Sequence, residues 1–144
     1  MTLVDARSLR VLTVRQPWAL HLVSGEKDVE NRTRRTLYRG WLLVCAGRLV
    51  DASAPPDLFE ESMPTGALVG AVYLSDVVRD HPSRWAMPDR WHWVITCRLA
   101  FPVAVPYRGA LTLVAVRPEV LAELPRASLM EMSHDSTDRD GLVR

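Results

Sequence analysis

Lysine is almost missing from this sequence. Of the 18 lysine and arginine residues in the 144-residue chain, only Lys27 is a lysine. Arginine bias of this kind also follows from genome base composition, but a lone lysine marks a position that uses a compact primary amine, which arginine cannot supply. Cysteine is scarce as well. Cys45 and Cys97 lie inside apolar runs, with neither CxxC spacing nor the second pair that zinc would need, and are expected to be buried thiols, not a disulfide. No apolar run reaches the ~18 residues that cross a bilayer. No basic segment near the N-terminus leads into such a run, so the expected location is cytoplasmic and no membrane partner is expected. HExxH, GxxxxGKS/T, a Rossmann fingerprint and a carboxylate cluster with metal spacing are all missing, so neither metal nor cofactor is expected.

Excess charge is lacking too. The formal net charge is +1, which sets aside bulk attraction to nucleic acid and leaves any electrostatic attraction local. It is indeed local: between Lys27 and Arg48, Lys27, Arg32, Arg34, Arg35, Arg39 and Arg48 face only Asp28 and Glu30. What the chain does have is apolar content, 48%, enough for one domain to bury a core without staples.

Leu9 to Val14 reads as a strand. Pro17 then opens a short helix to about Ser24, whose apolar face of Trp18, Leu20, Leu22 and Val23 ends at Gly25. Val29 to Arg35 reads as extended, and the period of two places Glu30, Arg32 and Arg34 on one projecting polar face. Trp41 to Ala46 is continuously apolar and predicts a strand buried on both faces. Arg48 to Pro64 reads as a loop with one helical turn. Gly66 to Val78, His92 to Val105 and Thr112 to Val116 add strands, and Pro118 and Pro125 bracket a helix over Glu119 to Leu124. The fold class is therefore mainly β with short helices (α+β), with five or six strands, as one domain over 9–125. A flexible polar C-terminal tail is expected over 126–144, nearly without apolar anchors after Glu131.

Gly25-Glu26-Lys27-Asp28-Val29-Glu30-Asn31-Arg32 spells GxKxxExR. Around it, in order, stand Arg15-Gln16-Pro17-Trp18, Tyr38-Arg39-Gly40, Gly66-Ala67-Leu68-Val69-Gly70, His92-Trp93-Val94 and Pro106 to Gly109. With these blocks the chain resembles the ASCH domain family, relatives of the PUA domain, over roughly Leu9 to Val116. The resemblance implies a PUA-like pseudo-β-barrel, a cleft lined by the motif, and a role on RNA, a nucleotide or a nucleoside. Members include RNA binders, assigned ribonucleases, and amidohydrolases that remove acyl groups from cytidine. In that last branch a threonine three residues after the lysine is the nucleophile, and here Glu30 takes its place.

Three readings of the site stay open. In the first, Lys27, Glu30 and Arg32 shape a cationic cleft for RNA or a nucleotide. Arg34, Arg35 and Arg39 then hold phosphate, and Trp18, Tyr38 and Trp85 stack bases, with Trp85 the best exposed candidate because it sits in a loop. In the second, the chain is a metal-independent hydrolase of N4-acylated cytidine or of RNA. Lys27 is then the activated amine, Glu30 or Asp76 orients it or a water, and Thr33, Thr36 or Ser75 is the replacement nucleophile. In the third, Glu30 neutralises Lys27 and Arg32 in a purely structural ion-pair network of a protein-interaction domain. His92, between two tryptophans, receives no role.

Overall fold

The structure, a computed structural model, describes residues 9–133. Strands β1 (Arg10–Val14), β2 (Val29–Arg32), β3 (Gly40–Ala46), β4 (Ala67–Val78), β5 (Trp91–Pro106) and β6 (Val114–Ala115) form one sheet in the order β2-β5-β4-β3-β1-β6. All neighbours are antiparallel except β1 and β3, whose parallel pairing requires the crossover that contains helix α1 (Trp18–Ser24) and β2. A second short helix, α2 (Pro118–Leu121), follows β6, and a single 3-10 turn at Pro56–Leu58 is the helical turn expected in the long loop. Among the described residues no helix is long and apolar enough to cross a membrane.

The apolar run of β3 explains the layering. Trp41, Leu43 and Cys45 point to one core, shared with Leu9, Val11, Leu68, Phe101, Val120 and Met132. Leu42, Val44 and Ala46 point to the other, shared with Leu12, Leu22, Val72 and Ile95. A strand that is apolar at every position is the signature of a sheet covered on both faces. Helix α1 covers the second face through Ala19, Leu22 and Val23. Burial keeps the Cys45 thiol protonated, raising its pKa; neither Cys45 nor Cys97 is in a disulfide, and Cys97 is only half-buried, which corrects the expectation that both are buried.

Curvature comes from irregular pairing. The β4–β5 register shifts between Leu68 and Gly70, between Tyr73 and Leu74, and between Leu74 and Asp76, and β3–β4 shifts between Val44 and Cys45. Each extra residue bends and twists its strand. The first shift also exchanges faces: Leu68 and Ala71, three apart, both serve the first core, whereas Val69 and Val72 serve the second. The result is a curled half-barrel with β2 and β6 at its edges, as the PUA-like expectation had it.

Pro125 behaves differently from the expectation. It does not merely stop α2 but opens another helical segment, 126–133, with the Leu129 N–H bonded to the Pro125 carbonyl at 3.1 Å. Met132 is fully buried there, and its carbonyl accepts the Trp41 indole N–H at 2.9 Å. Order thus runs past the point where the tail was expected to begin; the rest of that tail, 134–144, lies outside the described residues.

At Gly70 the absence of a side chain lets Val23 of α1 and the Leu99 carbonyl approach closely. A Cβ there would lie 2.3 Å from the Leu99 carbonyl oxygen and 2.8 Å from Val23 Cγ1, so backbone as well as side chain would have to move. Gly70→Ala is expected to lower stability by about 1–3 kcal/mol, the usual cost of overpacking, read as a fall in the urea midpoint with m unchanged.

Candidate functional site

The motif takes its shape from how α1 ends and how β2 is attached. Gly25 adopts the left-handed conformation (φ 107°) that closes the helix, and the chain doubles back so that the Lys27 N–H bonds to the His21 carbonyl at 3.0 Å. Arg98 of β5 donates to the Lys27 carbonyl at 3.0 Å, and the Ile95 N–H donates to the Asp28 carbonyl at 2.9 Å. Strand β2 then pairs with β5, placing Glu30 opposite Trp93 and Arg32 opposite Trp91. Asn31, between them, uses both ends of its carboxamide on the loop that carries Trp85. It donates to the Trp85 carbonyl at 2.8 Å and accepts from the Met87 N–H at 2.9 Å.

Lys27 and Glu30 do not project, contrary to the sequence expectation; they are 4% and 7% exposed. Lys27 Nζ donates to the Val29 carbonyl at 2.6 Å and to Glu30 Oε1 at 3.0 Å, and lies 5.8 Å from the Trp18 ring centroid. Glu30 Oε1 also accepts the Asn31 N–H at 3.2 Å, and Oε2 is 3.6 Å from Arg32 Nη1. Arg32 is fastened further by the carbonyls of Thr13 and Leu111, each at 3.3 Å. Two cations thus share one carboxylate, and every one of these groups is held by a second partner, which is what buried charges require.

These groups form part of the wall of a cleft of about 670 Å³, a volume in the range of small-molecule sites. Trp18 and Trp85, both half-buried, line it at right angles to one another, 6.3 Å between ring centroids and 76° between planes. His21 stacks behind Trp85 at 6.4 Å, Arg84 lies over the same indole at 4.6 Å, and the Trp18 N–H donates to Asp51 Oδ2 at 2.9 Å. Hydrogen bonds from Ser53 first and Trp18 second hold the Asp51 carboxyl below its ordinary range.

Of the residues singled out in the sequence, Lys27, Glu30, Arg32, Trp18 and Trp85 are brought together. Arg34 and Arg35 are not on the Glu30 face: β2 ends at Arg32, and both line a neighbouring cavity with Thr33 and Thr36. Tyr38 and Arg39 lie elsewhere. The Tyr38 hydroxyl bonds to the Trp41 carbonyl, and burial pushes its pKa up. Arg39 bonds to the Thr36 and Tyr38 carbonyls and pairs with Asp76 at 3.7 Å. Neither Asp76 nor Ser75, the latter bonded to the Val94 carbonyl, lines the cleft. His92 is structural, its Nε2 bonded to the Met87 carbonyl at 2.6 Å and its Nδ1 accepting the His81 N–H at 3.1 Å. Sequence reasoning missed Arg15, Asn31, Asp51 and Arg84. Arg84 had a signal, its place beside Trp85 in the loop; Asp51 had none, because its link to Trp18 spans 33 positions.

A family model described as ASCH domain matches residues 12–110. Among solved structures, an ASCH protein from Zymomonas mobilis is similar at a TM-score of 0.58 and 16% identity, over 81% of this chain and 93% of that one. A serine-to-alanine variant of that protein gives 0.56 and 15%, over 83% and 96%. Its tyrosine-to-phenylalanine variant gives 0.55 and 15%, over 81% and 96%. No curated protein sequence matches the chain.

Removing one member of a buried pair strands the other, whereas removing both need not. Glu30→Ala is accordingly expected to cost about 3–5 kcal/mol. The combined Lys27→Met and Glu30→Leu variant, in which Arg32 keeps its carbonyls, should denature much nearer the wild-type urea concentration.

Proposed function

The chain belongs to the ASCH domain family, and on that premise we propose that its cleft binds a nucleotide of single-stranded RNA. The observation that carries this is the pairing of two half-buried indoles with a fixed cationic wall in one cavity. Aromatic faces stack bases with little regard to sequence, while arginine and lysine hold phosphate or a base edge. Trp18 and Trp85 are each anchored, by Asp51 and by the Asn31-held loop, so little ordering remains for binding to supply.

The same geometry ranks binding above hydrolysis. Both oxygens of Glu30 are occupied by cations, and Oε1 accepts a backbone N–H as well, so it must release a partner before accepting a proton. The hydroxyl side chains on the cleft wall, Thr13 and Ser53, are engaged with the Ala110 N–H and with Asp51. A threonine nucleophile at the position of Glu30 is not available. We place the activity in the cytoplasm, where cysteine thiols ordinarily stay out of disulfides, as Cys45 and Cys97 do here.

The test is fluorescence anisotropy of a labelled single-stranded RNA at low and moderate salt. Saturable binding that weakens with salt is expected, with Trp85→Ala costing about tenfold, the scale of one stacked base, and Arg32→Ala at least as much. No binding at low salt would overturn the proposal. Turnover of N4-acetylcytidine that survives in the wild type and vanishes in Lys27→Arg would establish the hydrolase instead.

A further inference from the structure

Beside the cleft lies a second cavity of about 650 Å³, and the two share the wall formed by Asn31, Arg32 and Leu111. Its chemistry is different. Arg32, Arg34, Arg35 and Arg90 line it, and no carboxylate does. Arg34, Arg35 and Arg90 form no ion pair among the described residues, while Arg32 has its carboxylate partner on the side of the cleft. Thr33 and Thr112 add hydroxyl groups. We propose that this cavity is a subsite for backbone phosphate of the nucleotide next to the one held in the cleft, so that the protein recognises a strand and not an isolated nucleoside.

Four arginines line one concavity, three of them without a carboxylate partner among the described residues, and an anion there relieves their mutual repulsion. Arginine is suited to the role, because its planar donors match phosphate oxygens in pairs. The cavity is also anchored. The Trp93 indole N–H donates to the Arg34 carbonyl at 3.0 Å, fixing the chain just past β2, and Arg35 lies over the Trp91 ring at 5.7 Å. Arg90 bonds to the Asp89 carbonyl at 3.2 Å, and Arg32 is clamped by Thr13 and Leu111. Position, continuity with the cleft and uncompensated charge together favour a polyanion that crosses the shared wall at Arg32. This inference rests on the nucleotide reading of the cleft.

The experiment compares cytidine, the dinucleotide CpC and a labelled octacytidylate RNA on the full chain, between about 50 and about 200 mM salt, the range over which phosphate binding is most visible. In the Arg34→Gln, Arg90→Gln double variant, affinity for the octamer should fall about tenfold or more. The slope of log K against log salt should shrink by about 0.7 for each phosphate no longer neutralised, while cytidine binding stays as in the wild type. Arg34→Lys, Arg90→Lys should keep most of the slope, which guards against a folding defect in the neutral variant. Wild-type affinity and slope in the neutral variant would overturn the subsite. If the octamer depends on Arg34 and Arg90 but not on Trp85, the cavity holds phosphate, but the cleft reading falls and with it the placing of that phosphate beside a nucleotide held in the cleft. If it depends on Trp85 alone, the cleft stands and the subsite falls, and no binding by any ligand overturns both.

Discussion

Four antiparallel residue pairs tie β2 to β5, and the groups of the motif take their positions from them. The pairing fixes the parity of the strand: Glu30 and Arg32 share one face, and Asn31, one step out of phase but still on the cleft wall, holds the loop of Trp85 and Met87. A slip by one residue would exchange these roles, placing an amide where the carboxylate belongs and two charges against the loop backbone. The bond from the Ile95 N–H to the Asp28 carbonyl and that from Arg98 to the Lys27 carbonyl extend the attachment back to the helix end, so the register is set before β2 begins.

The charges inside this frame are arranged to tolerate burial. A lysine and a carboxylate with so little exposure gain from their mutual attraction only if their remaining hydrogen-bonding capacity is met. The Val29 carbonyl and the Asn31 N–H meet it, and Arg32 gives the trio a net positive charge that is partly open to solvent. Hydrophobic replacement would serve stability as well or better, which makes the retained trio more understandable as part of a binding surface than as a staple.

Much of this was legible in the sequence, for identifiable reasons. The unbroken apolar run of β3 is consistent with a strand of a sheet covered twice, and Gly25 closing an amphipathic turn located the motif at a helix end. The spacing of Glu30 and Arg32 gave a shared face. What it could not give was depth: the local pattern reads as a projecting polar strand, whereas the burial of Lys27 and Glu30 depends on neighbours from other elements, such as Trp18 of α1, whose ring centroid is 5.8 Å from Lys27 Nζ. Extending the alternation to Arg34 failed because β2 stops at Arg32, and reading Pro125 only as a terminator missed that proline also starts helices. Tyr38 and Arg39 were close to the motif in the chain but are tied to the β3 entrance and to Asp76.

Among the described residues, the position of β2 at the end of the sheet order leaves its outer backbone groups without a strand partner. Exposed edges of this kind are where sheets of separate molecules fuse, and natural proteins guard them with charge. Here the strand is short and runs directly into Arg34 and Arg35. A second copy arriving to extend the sheet would bring its own arginines against these, so the charge proposed to hold a nucleic-acid strand would also turn away a protein one.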